Sequence, residues 1–322
     1  MKEILLIEVK SELGAGTRGA SLGIDALKIA SIDLQSDFFA RYDSVNVRTD
    51  NSPLFTGFIS PSAKYVKAIL GVEKRVCNTV SESLLEEQFP MVLAGDHSTA
   101  FGTIAGIKKA YPQKRLGVIW VDAHADLHTP YTTPSGNVHG MPLAMALAID
   151  NLDAQTNEPP KETVHIWNEI KKIGVEGPKI NPGDIVFISR RDTESPEDYL
   201  IEKHGMVNFT TAEVRKHGAK KIAAQAIQKL KDCDLIYVSF DVDSLDPSIS
   251  SGTGTPVENG LTEDEARTIN TELVKNPKVC CWEMVEINPT LDSENKMAEV
   301  AFGIMEATAK SFEEARLKTV LV

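Results

Sequence analysis

The chain is 322 residues long, 42% hydrophobic and 25% charged, an ordinary globular composition that excludes a disordered chain. Acids outnumber Lys plus Arg by 46 to 34, a formal net charge of −12. With no basic run to break that balance, nucleic acid and anionic membrane are excluded as partners, while a cationic small molecule is a compatible substrate.

In chain order, the first apolar run is Ile4–Val9, and its Ile4–Ile7 core is too short for a signal peptide. Further strand-length runs follow at Met91–Ala94, Leu116–Val121, Ile185–Ser189, Leu235–Phe240 and Val279–Ile287. Most are continuously apolar, as strands are when both faces of a parallel sheet are covered. Helical periodicity fills intervals at Ala63–Gln88, Thr99–Ala110, Ala212–Leu230 and Glu263–Val274, the last opened by a capping box at Thr262–Glu265. Strands alternating with helices predict an α/β fold with right-handed crossovers. Residues 1–322 are read as one domain, with loop-rich 150–183 as an insertion carrying a short helix near Val164–Lys172. No stretch has the length of a membrane span, and Cys77, Cys233, Cys280 and Cys281 form no CxxC pair. Buried, reduced thiols in a cytoplasmic protein are expected.

Three short Asp/His clusters carry the chemistry. Gly95-Asp96-His97-Ser98 follows Met91–Ala94, Asp122-Ala123-His124-Ala125-Asp126 follows Leu116–Val121, and Asp241-Val242-Asp243 ends Leu235–Phe240. All lie at the carboxyl ends of predicted strands, where open α/β sheets bind their ligands. In extended chain, residues i and i+2 share a face, so Asp122, His124 and Asp126 point together, as do Asp241 and Asp243. Clustering four carboxylates at the end of an apolar sheet is costly without cations. Taken singly, Asp96 and Ser98 read as helix caps, but three clusters each ending a strand do not. Carboxylate and imidazole without thiolate suit Mn, with Fe, Co, Ni or Zn as substitutes. More acids than one ion needs suggest two ions, which together lower the pKa of a shared water to give a hydroxide nucleophile. His165, His204 and His217 lack such neighbours and read as structural or surface residues, and Trp120 and Trp282 as core. A binuclear phosphoesterase is the competing reading, but the chain has Gly136-Asn137-Val138-His139-Gly140 rather than Gly-Asn-His-Asp/Glu, and no Arg/Lys clamp beside the clusters.

Together the motifs AGDHS, DAHAD, SGNVHGMP, SFDVDSLDP, SGTGTP and VEINP, in this order from Ala94 to Pro289, resemble the ureohydrolase (arginase/agmatinase) family, the arginases most closely. Gly14–Gly19 is similar to that family's N-terminal loop. The resemblance implies a three-layer α/β/α sandwich with a central, mainly parallel sheet and a site for two Mn2+, with Co2+, Ni2+ or Fe2+ as substitutes. It implies His97, Asp122, Asp126 and Asp241 on one ion and Asp122, His124, Asp241 and Asp243 on the other, with Asp122 and Asp241 bridging. It further implies Glu286 as the guanidinium partner and His139 as acid or proton shuttle, both catalytic together with Asp126. His128, Ser135, Asn137, Glu194 and Thr255 fall at substrate-binding positions.

Two of these depart from the family pattern. His128 stands where arginases usually carry Asn, and Glu194 where an Asp usually meets the α-amino group. Ser135 and Asn137 match the loop that binds an amino-acid carboxylate, which agmatine lacks. The expected reaction is hydrolysis of the L-arginine guanidinium to ornithine and urea. The alternatives are an agmatinase or other guanidine hydrolase and, more remotely, a non-catalytic metal-binding relative. A homotrimer or homohexamer is implied by resemblance alone.

Overall fold

The computed structural model describes residues 3–58 and 60–320, the side chains of 318–320 excepted. Its strands are β1 (Ile4–Val9), β2 (Asp43–Asn46), β3 (Phe89–Ala94), β4 (Leu116–Val121), β5 (Ile185–Ile188), β6 (Val207–Phe209), β7 (Leu235–Asp241) and β8 (Val279–Val285). They form one sheet in the order β2-β1-β3-β8-β7-β4-β5-β6, and every pairing is parallel.

The continuous apolar runs have the expected cause. Alternate strand residues enter different cores: Leu6, Met91 and Ile119 face one, and Ile7, Val92 and Trp120 the other. Helices Gly23–Asp33, Ala219–Lys229, Glu263–Val274 and Lys296–Val320 cover the first face; Val66–Leu85, Ala100–Ala110, Pro142–Leu147 and Lys161–Ile170 cover the second. The result is the three-layer α/β/α sandwich. Thr262 caps its helix through the capping box with Glu265. All four cysteines are buried, and none is in a disulfide among the described residues. Among the described residues, no helix is long and apolar enough to cross a membrane.

Several boundaries differ from the sequence-based expectation. The continuous helix expected over Ala212–Leu230 is two helices, Thr211–His217 and Ala219–Lys229, because Gly218 takes φ 88° between them. β8 stops at Val285 and β5 at Ile188, because Glu286 (φ 69°) and Ser189 (φ 78°) turn left-handed. The short helix of 150–183 runs from Lys161 to Ile170, one turn earlier than expected. The edge strands β2 and β6 were not foreseen: Asp-Ser-Val-Asn and Val-Asn-Phe are too short and too polar to register as apolar runs.

The 150–183 segment is held by polar contacts of its own and by one to Thr129, in the loop after β4. Asp150 accepts from Trp167 Nε1 at 2.7 Å and Lys171 Nζ at 2.6 Å, and Thr129 donates to the Asp150 carbonyl at 2.8 Å. The buried Lys179 ammonium donates to the carbonyls of Val175 at 2.7 Å, Gly177 at 2.8 Å and Lys171. Lys179→Met leaves three carbonyls without their donor and is expected to destabilise the fold by about 2–4 kcal/mol in denaturant melts. An unchanged midpoint would show that the ammonium does not hold the segment.

Candidate metal centre

Five central strands, β3, β8, β7, β4 and β5, deliver the site from their carboxyl ends. After β3, Asp96 caps a short 3-10 turn: its side chain accepts from Ser98 N–H at 2.9 Å and from Gly14 N–H at 3.1 Å. Gly14 must be glycine, since a Cβ there would lie 2.4 Å from Asp96 Oδ1. Asp96 thus fixes the turn that carries His97, as the capping reading of the sequence implies.

His97 is buried, and its Nδ1 lies 3.1 Å from Asp122 Oδ2, 3.1 Å from Asp126 Oδ2 and 3.1 Å from Asp241 Oδ2. His124 Nδ1 lies 3.0 Å from Asp243 Oδ2 and 3.5 Å from Asp122 Oδ1. Two ligand groups therefore form, His97/Asp122/Asp126 and Asp122/His124/Asp243, sharing Asp122. All six metal candidates of the sequence reading meet here.

The convergence is real, but strand alternation does not produce it. Residues i and i+2 of a strand stand about 6.6 Å apart, too far to share one ion. Asp122–His124 form a bend instead, and Asp126 adopts φ 51°. Asp243 lies in a 3-10 turn, where its N–H donates to Asp241 Oδ1 at 2.8 Å. Chain reversal gathers the oxygens.

The donor set fits a divalent cation. His97 Nε2 meets Ser239 Oγ at 2.8 Å, while Nδ1 and Asp122 Oδ2 are buried without a hydrogen-bond partner among the described residues. Carboxylates facing a bare imidazole nitrogen repel one another, and a cation is what reconciles them. Electrostatics agree. Burial and the neighbouring charges of Asp243 and Asp122 push the Asp241 carboxyl well above its ordinary range. Burial would lower His97, yet Asp122, Asp126 and Asp241 raise it well above an ordinary histidine. The centre takes up positive charge, as a proton or as a metal.

A cleft of about 250 Å3 opens over this cluster, lined by Asp126, His139, Asp241, Asp243 and Thr255 with the rim residues His128, Ser135, Asn137 and Glu194. Thr255 Oγ1 donates to Asp243 Oδ2 at 3.1 Å. His139 Nδ1 lies 3.0 Å from Glu286 Oε1, which also accepts from His97 N–H at 2.9 Å. Burial alone would lower His139, but Glu286 pushes it up to about 9. Glu286 itself is 2% exposed and does not line the cleft. Its immediate partner is His139.

The rim is prepaired. His128 Nε2 lies 2.9 Å from Glu194 Oε2 and 3.5 Å from Glu197 Oε2. That contact with His128 holds the Glu194 carboxyl down at about 2. Ser135 Oγ accepts from Asn137 N–H at 3.2 Å, and Asn137 Oδ1 from Lys64 Nζ at 3.0 Å. Gly136 (φ 74°) permits this loop, because a Cβ would lie 1.6 Å from the Pro61 carbonyl oxygen.

Sequence reasoning missed Asp192, Glu197, Ser239 and the role of Trp120. Asp192 Oδ2 lies 3.7 Å from His124 Nε2, and the Trp120 ring stacks on His97 at 4.1 Å. Glu197 was findable, since Glu194-Ser195-Pro196-Glu197 reads as a capping box with proline in the first turn, and it is one. Trp120 carried no such signal: a tryptophan in an apolar strand reads as core. His165, His204 and His217 are exposed, and none belongs to such a cluster among the described residues.

Comparison with known proteins gives the family. The profile described as "Arginase family" matches residues 2–309. The arginase of Brevibacillus brevis is 35% identical over 307 residues, covering 94% of this chain and 96% of its own. The native arginase structure from Bacillus caldovelox superposes with a TM-score of 0.81 at 33% identity, covering 96% of this chain and 98% of its own. The Entamoeba histolytica arginase complexed with L-ornithine gives a TM-score of 0.80 at 27% identity, with 96% and 99% covered. Those chains match this one almost end to end, over the same parallel sheet that converges two histidines and four aspartates at its carboxyl edge, and the chain belongs to the arginase family of hydrolases.

Proposed function

We propose that the chain hydrolyses the guanidinium of L-arginine to L-ornithine and urea at a pair of Mn2+ ions. The observation that carries this reading is the approach of His97 Nδ1 to three carboxylates at 3.1 Å, with Nδ1 and Asp122 Oδ2 both buried and without a hydrogen-bond partner among the described residues. Two ligand groups sharing Asp122 support two ions: His97, Asp122, Asp126 and Asp241 on one, and Asp122, His124, Asp241 and Asp243 on the other. An oxygen and imidazole donor set suits Mn2+, with Co2+, Ni2+ or Fe2+ as substitutes. Bound there, the ions would supply a water acidified enough to attack the guanidinium carbon.

The chain's own groups do the rest. A guanidinium is planar and always charged, and the acids lining the cleft attract it. Water adds its oxygen to the guanidinium carbon, one C–N bond breaks, and the departing amine takes up a proton. His139, anchored through Nδ1 by Glu286, has Nε2 left for that proton transfer. At the rim, His128 and Glu194 carry the two charges complementary to an α-amino acid: the carboxylate meets His128, Ser135 and Asn137, and the ammonium meets Glu194. Agmatine offers only a guanidinium and leaves that rim unused. Four buried cysteines outside any disulfide suit a reducing cytoplasm.

His139→Ala is expected to lower turnover about 10²–10⁴-fold while metal content stays at the wild-type level. Undiminished turnover would remove His139 from the reaction. The substrate assignment is tested by urea release from L-arginine, agmatine and simple guanidines on Mn2+-loaded protein. Release from L-arginine is expected; release from agmatine or another guanidine but not from L-arginine would overturn it.

A further inference from the structure

Charge is unevenly spread around the outer end of the cleft. Asp192, Glu194 and Glu197 line one side of it, and His128 is shared between Glu194 at 2.9 Å and Glu197 at 3.5 Å. A substrate carboxylate arriving at Ser135 and Asn137 therefore approaches an acid-rich rim whose imidazole already faces two acids. The neighbouring arginines are engaged elsewhere. Arg190 lies 3.7 Å from Asp198, and Arg191 donates to the carbonyls of Asp243 at 2.9 Å and Val257 at 2.7 Å. A carboxylate at that end needs a further cation on the Ser135–Asn137 side.

Lys64 stands on that side. It precedes the helix Val66–Leu85 and is half-buried; its Nζ donates to Asn137 Oδ1 at 3.0 Å and lies 5.5 Å from the centre of the Phe58 ring. Among the described residues it has no carboxylate within ion-pair distance. The bond also sets the Asn137 amide. With Oδ1 held by Lys64, the amide has only the Nδ2 donor left to offer, and Nδ2 has no acceptor among the described residues. Gly16 leaves room for that group, since a Cβ there would lie 2.6 Å from Asn137 Nδ2. The backbone is secured separately: Lys64 N–H donates to the Gly136 carbonyl at 2.8 Å, a bond that survives replacement of the side chain.

We infer that Lys64 is a positioning residue that sets specificity: through the Asn137 amide, its ammonium makes the outer end of the cleft select a guanidine that carries a carboxylate over one that lacks it. The inference rests on the L-arginine reading of the cleft and names the group that enforces it. Two effects act in the same direction. The ammonium supplies the counter-charge that the acid-rich rim lacks, and it keeps Asn137 Oδ1 turned away from an incoming carboxylate. A lysine that only tethered the 135–137 loop would, when removed, weaken the binding of every ligand alike.

The test compares wild type, Lys64→Met and Lys64→Arg, all full-length and Mn2+-loaded, by urea release from L-arginine and by calorimetric binding of two ligands. These are L-ornithine, which carries the carboxylate, and 1,4-diaminobutane, which does not. Lys64→Met is expected to raise KM for L-arginine about 10- to 30-fold, the scale of one lost charge contact in a half-buried setting. Turnover should stay within about 2-fold, because a contact remote from the reacting carbon serves ground and transition states alike. L-Ornithine affinity is expected to fall by the same factor as KM rises, while that of 1,4-diaminobutane does not change. Lys64→Arg keeps both the charge and a donor for Asn137 Oδ1, and is expected to bind L-ornithine within about 3-fold of wild type. Equal losses for L-ornithine and 1,4-diaminobutane, or an unchanged KM for L-arginine in Lys64→Met, would overturn the assignment. A wild type that released no urea from L-arginine would sink the substrate reading by itself. The L-ornithine to 1,4-diaminobutane ratio, compared between wild type and Lys64→Met, would still decide the role of Lys64.

Discussion

Asp126→Ala protein is expected to lose one of the two metal positions and essentially all turnover. Asp126 Oδ2 is one of three carboxylate oxygens 3.1 Å from His97 Nδ1, and the residue belongs to the ligand group that excludes His124 and Asp243. Removing it takes one buried negative charge from the His97 ion and leaves the Asp122/His124/Asp243 group intact. Preorganised charge of this kind is typically worth about 10²–10³-fold in rate, and losing an ion as well takes the effect to the upper end or beyond. The backbone matters to the design of the variant. Asp126 adopts φ 51°, a conformation that Asp and Asn tolerate better than Ala. Asp126→Asn therefore removes the charge with less backbone strain, and it is expected to lose the same ion. Full metal content in both variants would refute the ligand role.

Glu286→Gln is expected to lower turnover by about 30- to 1,000-fold, from a loss of about 2–4 kcal/mol on cutting a buried charge pair. Glu286 Oε1 holds both the His97 backbone N–H and His139 Nδ1, so the substitution releases the residue that hands on the proton. The same change has a pH signature in the metal-free protein. With Glu286 present, His139 is pushed up to about 9 despite burial. A histidine raised in this way contributes stability that is complete below its unfolded value near 6.5 and is lost as pH rises through 9. The stability gap between wild type and Glu286→Gln is therefore expected to be widest between about pH 4.5, where Glu286 ionises in the unfolded chain, and pH 6.5, and to close above pH 9, with His139 titrating well below 9 in the variant. A gap independent of pH would mean that Glu286 acts on packing and not on His139. If substrate contact were its sole role, KM would rise with no change in His139 titration.

Much of this centre could be read from residue order because each ligand follows a strand. The apolar runs before His97, Asp122 and Asp241 located the carboxyl edge of the sheet, and β1 and β4 have the expected bounds. The need for a cation followed from charge, whereas His97 as a ligand and the division of ligands between two ions came from the family resemblance alone. What periodicity could not supply was the local geometry. The left-handed turns at Asp126, Ser189 and Glu286 are non-glycine residues held by their surroundings, and nothing in their identities announces positive φ. The same limit explains why alternation named the right residues at Asp122–Asp126 for the wrong reason. The family motif names Glu286 as the guanidinium's partner; its contacts with His139 and the His97 amide are a further role that the motif does not carry. The edge strands β2 and β6 reach the core through only a few side chains, Phe209 buried and Val45 and Val207 half-buried, too few to mark their sequences as apolar runs.

The rim depends on longer-range placement. His128 and Glu194 are 66 residues apart, and only folding brings them to 2.9 Å. Each departs from the family pattern, and together they make a pair: the imidazole occupies the position of an amide, and the acid reaching it is one methylene longer. The α-carboxylate and α-ammonium of an amino acid can exchange with the two halves of that pair without leaving either charge unmatched.

The most direct test of the two-ion centre is Mn2+ uptake by the metal-free protein, measured by equilibrium dialysis and elemental analysis alongside urea release. Uptake of two Mn2+ per chain, with hydrolysis appearing as the sites fill and one ion missing from Asp126→Asn, is the expected outcome. Full urea release from protein carrying one ion, or none, would contradict a centre built on two.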